Sequence, residues 1–173
     1  MPKSRNNKDI PDQQRGMLSY CSGLTLETAK KMLEAAEKEA KKLGLLMAIA
    51  IVDSGGNLVA FHRMDNSMLA SVQISIDKAY TAVYGKVPSI VWGNEIRSGE
   101  LPALFFHQRW IAFSGGFPLV LDGRIFGAVG ASGAKKYGDA SVARAAAVAG
   151  GFETGGFDVV LKSEGSKSET RRS

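Results

Sequence analysis

A short polar set in the middle of the chain has the residue types expected of a binding site. Arg63–Asp65 place a cation, a thioether and a carboxylate in consecutive positions. Lys78, Ser75 and Ser71 follow at helical spacing, so they share one face of a predicted helix. This pattern fits a solvated helix face, where charged residues are usually found. It also fits an anion-binding pocket in which Arg63 and Lys78 hold a carboxylate.

The two histidines of the chain stand in different settings. His62 alternates with Ala60 and Met64 along a predicted strand, which is more typical of a core or interface residue than of a ligand. His107 follows Phe105–Phe106, and a histidine among aromatic residues can serve as a ligand or as an acid/base residue. A subunit contact explains His107 equally well.

Composition predicts a single globular domain. The chain has 173 residues, of which 45% are hydrophobic and 23% charged, as in ordinary globular domains of this length. The net charge is +5, and residues 1–15 and 162–173 each hold four basic against two acidic side chains. A nucleic-acid interface needs a basic stripe on the folded body. We therefore expect no nucleic-acid partner.

The predicted location is the cytoplasm. Cys21 is the only cysteine, so no intrachain disulfide can form. The chain begins with polar residues and has no apolar segment of the secretory type, and Leu45–Val52, its longest apolar run, is too short for a bilayer. We expect no membrane contact. No cysteine or histidine pairs stand at zinc spacing, so we also expect no dedicated metal site.

Hydrophobic periodicity predicts alternating helices and antiparallel strands. Helical periods mark three helices, and the first has an N-cap at Thr25, an apolar stripe that begins at Leu26 and a stop at Gly44. The apolar face of the second helix includes Leu69. Alternation and turn residues mark the strands and two hairpins, the second with its turn at Asp122–Gly123, and a bend at Gly115–Pro118. The region 89–110 is interpreted as short helical pieces broken at glycines. The predicted helices are Leu26–Leu43, Met68–Tyr84 and Asp139–Ala149, and the predicted strands are Leu46–Val52, Leu58–Met64, Ile111–Ser114, Leu119–Leu121, Arg124–Val129 and Phe157–Leu161. This order predicts an α+β fold with an antiparallel sheet of about five strands. Residues 1–22 are interpreted as a polar arm, 23–161 as the domain and 162–173 as a disordered tail.

Five sequence blocks occur in an order that resembles a known family. They are Val52–Leu58 (VDSGGNL), Arg63–Asp65 (RMD), Ile76–Ala82 (IDKAYTA), Gly115–Leu119 (GGFPL) and Asp122–Gly133 (DGRIFGAVGASG). The chain resembles the GlcG/HbpS/PduO C-terminal-domain family over residues 24–150. The resemblance implies α/β/α layers around a central antiparallel sheet, of the profilin-like kind. It also implies a homo-oligomer built from dimers, that is, a dimer, tetramer or octamer.

The family resemblance leaves the function divided between binding and catalysis. Relatives include haem-binding proteins and accessory domains of catabolic operons, which implies a protein for haem or another planar carboxylated ligand, with haem as a candidate cofactor. Axial ligands to haem iron would be His62, His107 or Met64. Predicted ligand-binding residues are Arg63, Lys78, Ser75, Gly115, Gly116 and Pro118. The aromatic residues Trp92, Phe105, Phe106 and Trp110 would suit stacking against such a ligand or packing at a subunit interface.

The alternative function is that of a cofactor-independent lyase, since some relatives act on hydroxylaminobenzoates. Loss of the hydroxylamino oxygen needs an acid, which His107 or Asp65 could supply, and Arg63 or Lys78 would hold the carboxylate. The chain departs from the family in Lys135–Asp139, where relatives often carry a Glu and Asp pair. An accessory subunit without chemistry is a third alternative.

Overall fold

The structure is a computed structural model, which describes residues 24–99, 108–134 and 138–154. Four helices and four strands are formed within these ranges. In chain order they are α1 (Leu26–Lys42), β1 (Ala48–Asp53), β2 (Leu58–Arg63), α2 (Leu69–Gly85), α3 (Ser89–Ser98), β3 (Gly116–Leu121), β4 (Arg124–Ser132) and α4 (Gly138–Gly150). The predicted α+β class is confirmed. The predicted strand Phe157–Leu161 lies outside the described residues.

The strands form one antiparallel sheet in the order β2-β1-β4-β3. Both predicted hairpins are present. The β3–β4 turn is made by Asp122 and Gly123, whose φ angles of 50° and 70° are the positive values that a tight two-residue hairpin turn requires. The β1–β2 turn is held by Asp53, whose Oδ1 accepts from the backbone N–H groups of Gly55 and Asn57, each at 2.9 Å.

The helices cover the two faces of the sheet, which gives the expected α/β/α layers. On one face, α1 and α4 pack on alternate strand residues such as Ile49, Ile51 and Val129, and these form the larger hydrophobic core. On the other face, α2 packs on β1, β3 and β4, with Val52 and Ala128 in a smaller core. Alternate residues of each strand thus face different helices.

Helix α1 follows its sequence pattern closely. Thr25 caps it, accepting from the N–H of Thr28 at 3.1 Å, and Gly44 follows its end with a φ of +67°. The predicted apolar stripe is buried at Ala29, Met32, Leu33, Ala36 and Ala40. Its end residue Leu26 is instead exposed.

Helix α2 differs from its prediction, because its small polar face is buried. Leu69, assigned to the apolar face, is 74% exposed, whereas Ser71, Ser75 and Lys78 are at most 2% exposed. The interpretation of that serine and lysine face as solvated is therefore wrong. The reason is close backbone packing: a Cβ at Gly130 would overlap the carbonyl oxygen of Ser75, so only small side chains fit between this helix and the sheet.

Three smaller predictions are also corrected. Helix α3 is continuous through Gly93, where a Cβ would overlap the carbonyl oxygen of Ala112, and it ends at Gly99. Residues 111–114 form no strand. Pro118 lies within β3 rather than in the bend before it. That position is compatible with proline because β3 is an edge strand.

Candidate functional site

A surface cavity of about 270 Å³ lies where β2 ends, and we call it the β2-end cavity. It is lined by Arg63, Met64, Asp65 and Asn66. Arg63 and Asp65 are exposed and Met64 is half-buried against the larger core. The structure therefore brings together a cation, a carboxyl group and a thioether from consecutive residues, as the sequence suggested. The chain turns at Asn66, which has a φ of 60° and leads into α2.

His62 precedes this cavity and contacts helix α1. Its Nδ1 lies 2.6 Å from Oε1 of Glu37, although the alignment is not that of a hydrogen bond. Glu37 Oε2 also receives Lys41 Nζ at 3.3 Å. Because Nδ1 is buried against Glu37, Nε2 is the ring nitrogen left to act as a ligand. The His62 side chain is 36% exposed.

Lys78 lies in a buried ion pair that joins three parts of the fold. Its Nζ donates to Oδ2 of Asp139 at 2.6 Å and to the carbonyl oxygen of Ala131 at 3.1 Å. The other carboxylate oxygen of Asp139 accepts from the N–H of Ala134 at 2.8 Å. We call these residues the Lys78 cluster. Its geometry is that of a structural ion pair rather than of a lysine open to a ligand carboxylate.

The remaining predicted ligand residues are also engaged within the protein. Ser75 donates to the carbonyl oxygen of Val72 at 2.9 Å, and the N–H of Gly116 donates to Ser89 Oγ at 3.0 Å. Gly115, with a φ of +116°, leaves room for Lys78 Nζ, which a Cβ there would approach to 3.1 Å. These residues therefore lie around the Lys78 cluster, whereas Arg63 and Asp65 line the β2-end cavity. His107 lies outside the described residues.

A second polar cluster was not predicted from the sequence. Arg109 Nε donates to Asp77 Oδ1 at 3.0 Å, and Gln73 Nε2 donates to Asp77 Oδ2 at 2.9 Å. The Arg109 guanidinium stacks on Tyr80, 3.8 Å from the ring centroid. Burial, followed by the neighbouring Tyr84, raises the pKa of the Tyr80 phenol above 10.0. The Gln73–Asp77 spacing was the one local signal of this cluster, since Arg109 approaches from a distant segment.

Two of the four aromatic residues expected around a flat ligand lie within the described residues. Trp92 and Trp110 pack edge to face, with ring centroids 4.9 Å apart. Phe105 and Phe106 lie outside the described residues. The visible pair is therefore a packing contact between α3 and the segment that precedes β3.

The fold and cavity define a small three-layer α+β domain with a polar cavity at the end of an edge strand. Comparison with known proteins identifies the family to which this domain belongs. Residues 24–148 match the family described as haem degrading protein HbpS-like, and the chain belongs to this family. The resemblance read from the five sequence blocks is thereby confirmed.

Individual relatives agree with this assignment. The chain is 36% identical over 109 residues to protein GlcG of Escherichia coli K12, covering 63% of this chain and 81% of GlcG. A solved complex of PduOC with haem matches with a TM-score of 0.70 and 28% identity, covering 73% of this chain and 94% of that one. The structure of HbpS matches with a TM-score of 0.65 and 27% identity, covering 86% and 95%.

Within the described residues, no helix is both long enough and apolar enough to cross a membrane.

Proposed function

We propose that the protein binds haem or a similar planar carboxylated ligand at the β2-end cavity. The observation that carries the proposal is His62 immediately before a cavity that contains Arg63. An imidazole and a guanidinium are the groups that would contact an iron and a propionate. The haem complex of PduOC, a structure of similar fold, supports the ligand class.

The donor set of the described residues fits haem. His62 would offer Nε2 to the iron, because its Nδ1 is occupied by the contact with Glu37. Met64 stands in the cavity wall, where its thioether is a second candidate ligand, and Arg63 would hold a carboxylate. Bound haem would supply a redox-active iron. The residues of the cavity would orient the ligand through its carboxylate.

A haemin titration of the purified protein tests the proposal. We expect a saturable Soret band at an equimolar ratio. The chain has two histidines, so His62→Ala and His107→Ala form a matched pair. His62→Ala should lose the spectrum of histidine-ligated iron and His107→Ala should retain it. A titration with no saturable band overturns haem binding, and the opposite result in the pair transfers the axial role to His107.

The lyase is a second candidate because Asp65 and Arg63 line the same cavity. Asp65 would pass a proton to the hydroxylamino oxygen of a hydroxylaminobenzoate while Arg63 holds the carboxylate. The N–O bond would break with its electron pair leaving on water, and a second water would add to the resulting ring cation. Incubation with a hydroxylaminobenzoate tests this function directly. Loss of the substrate with the parent but not with Asp65→Asn supports it, and a stable substrate excludes it.

We also propose that the protein acts in the cytoplasm as a homo-oligomer in a catabolic pathway. Large apolar side chains such as Leu58, Phe113 and Val148 are 50%, 66% and 54% exposed. Burial against another copy would remove such surface from water.

A further inference from the structure

The first turn of α2 and the residue before its N-cap contain two buried hydroxyl groups that have no partner in the described part of the chain. Ser67 and Ser71 are 5% and 0% exposed, and neither hydroxyl has a hydrogen-bond partner among the described residues. Buried polar groups are normally satisfied, and an unsatisfied one is destabilising. Alanine would fill these positions without that penalty. The two serines are therefore not explained by packing between α2 and the sheet.

The N–H groups of Leu69 and Ala70 at the same end of α2 have no backbone acceptor among the described residues, whereas that of Ser71 donates to the carbonyl oxygen of Met68 at 3.0 Å. Met68 is the N-cap residue, no side chain of the described residues caps the helix, and the first turn holds no acidic residue. The first N–H groups of a helix have no partners within it, and the helix dipole makes this end positive. Helical side chains tilt toward the N-terminus, so the Ser71 hydroxyl is directed to this end. Ser67 directly precedes the cap residue.

The surroundings of this helix end combine a cation with apolar surface. Met68 and Leu69 are 61% and 74% exposed, although both are large and apolar. The β2-end cavity, with Arg63 in its wall, occupies the turn that leads into the helix. An anion with an apolar body matches this combination, because its charge would face the donors and its body would cover the exposed side chains.

We propose that the N-terminal end of α2 holds the carboxylate of the ligand, through the hydroxyls of Ser67 and Ser71 and the amides of the first turn. Arg63 supplies the positive charge from the cavity wall. The ligand class rests on the proposed function, and the inference adds the place where the carboxylate is bound. The proposed carboxylate site therefore lies at the N-terminal end of the polar face of α2, and not at Lys78, which is already paired with Asp139.

Benzoate is the simplest probe of this site, and a ¹H–¹⁵N NMR titration of the full chain reports where it binds. We expect shifts of the amides of residues 67–71, and none with benzyl alcohol, which has the same ring without the charge. The double variant S67A/S71A should weaken benzoate binding about tenfold or more, as expected when charge-assisted hydrogen bonds are lost. Ser141→Ala, a helical serine on α4, is the matched control and should bind as the parent does.

Thermal unfolding separates a binding role from a folding role. If the hydroxyls serve binding, S67A/S71A should melt at the same or a higher temperature than the parent. A lower melting temperature with unchanged benzoate binding overturns the inference. Arg63→Gln, an exposed position that carries no folding risk, should also weaken benzoate binding and provides a second test.

Haemin separates this inference from the proposed function. Benzoate shifts at residues 67–71 without any haemin complex would support the site and overturn haem binding. A haemin complex with no benzoate shifts there, and with S67A/S71A binding haemin as the parent does, would overturn the site and leave the function standing.

Discussion

Removal of the Lys78 charge is the sharpest test of how α2 is held. The side chains of Lys78 and Asp139 are 3% and 9% exposed. Lys78→Met therefore leaves the Asp139 carboxylate buried, with the N–H of Ala134 as its one remaining hydrogen-bond donor among the described residues. Breaking a buried pair in this way costs about 3–5 kcal/mol. Domains are stable by about 5–15 kcal/mol in total, so the loss is a large part of the whole.

The assay is urea unfolding followed by circular dichroism. Lys78→Met should lower the midpoint with an unchanged slope, since a changed slope would indicate a different denatured state. The double variant K78M/D139N should be more stable than K78M, because Asn can still accept from Ala134 and no charge stays buried. Lys31→Met is the control: its pair with Glu27 is 63% and 80% exposed, and such pairs contribute about 0–1 kcal/mol.

Two results would refute this reasoning. A Lys78→Met protein destabilised by less than about 1 kcal/mol would show that the pair is not structural. A stable Lys78→Met protein that no longer binds haemin would restore Lys78 as a ligand residue. If Lys78→Met does not accumulate as folded protein, the double variant K78M/D139N gives the milder test, since it leaves no charge buried and retains the oxygen that accepts from Ala134.

Three further predictions concern packing, pH and assembly. Gly130→Ala should destabilise the protein by about 1–3 kcal/mol, since its Cβ would overlap the Ser75 carbonyl oxygen, and a variant that melts like the parent would contradict the close approach. Gly44→Ala has open space but a φ of +67°, so its cost of about 1–2 kcal/mol reports backbone strain alone. Burial raises the pKa of Tyr80 above 10.0, so the phenol loses its proton at lower pH in the unfolded chain than in the folded one. Its contribution to the free energy of unfolding is therefore complete below pH 10 and is lost as the pH rises through the raised pKa. Tyr80→Phe should reduce this alkaline loss of stability, and an identical pH profile of the variant and the parent would contradict the argument. Light scattering should give a particle heavier than 18.4 kDa, and a monomer at micromolar concentration would exclude the oligomer.

Local sequence signals predicted the elements correctly where contacts between residues close in the chain determine the structure. The cap at Thr25, the stop at Gly44 and the apolar stripe of α1 each depend on residues a few positions apart. The Asp122–Gly123 turn likewise sets the β3–β4 hairpin from two residues. The proposed arm, domain and tail boundaries remain predictions.

The sequence could not reveal which face of α2 is buried. Its partner residues are distant in the chain: Lys78 and Asp139 are 61 positions apart, and Arg109 is 32 positions from Asp77. Hydrophobic periodicity assumes that apolar residues mark the buried side. That assumption fails here, because contact with Gly130 requires small side chains and because a buried charge can be satisfied by a pair.

The serines on the buried face of α2 differ in a way that separates packing from binding. Ser75 packs against Gly130 and satisfies its hydroxyl on Val72 within the helix, so its role is complete without a ligand. Ser71 and Ser67, which precedes the N-cap, have the same small size, but their hydroxyls have no partner among the described residues, at a cost of about 1–3 kcal/mol each. Close packing explains why these residues are small, and it does not explain why they are hydroxylated. A bound carboxylate would supply the missing acceptor, and the α2 N-terminus would then be stabilised most when the ligand is present.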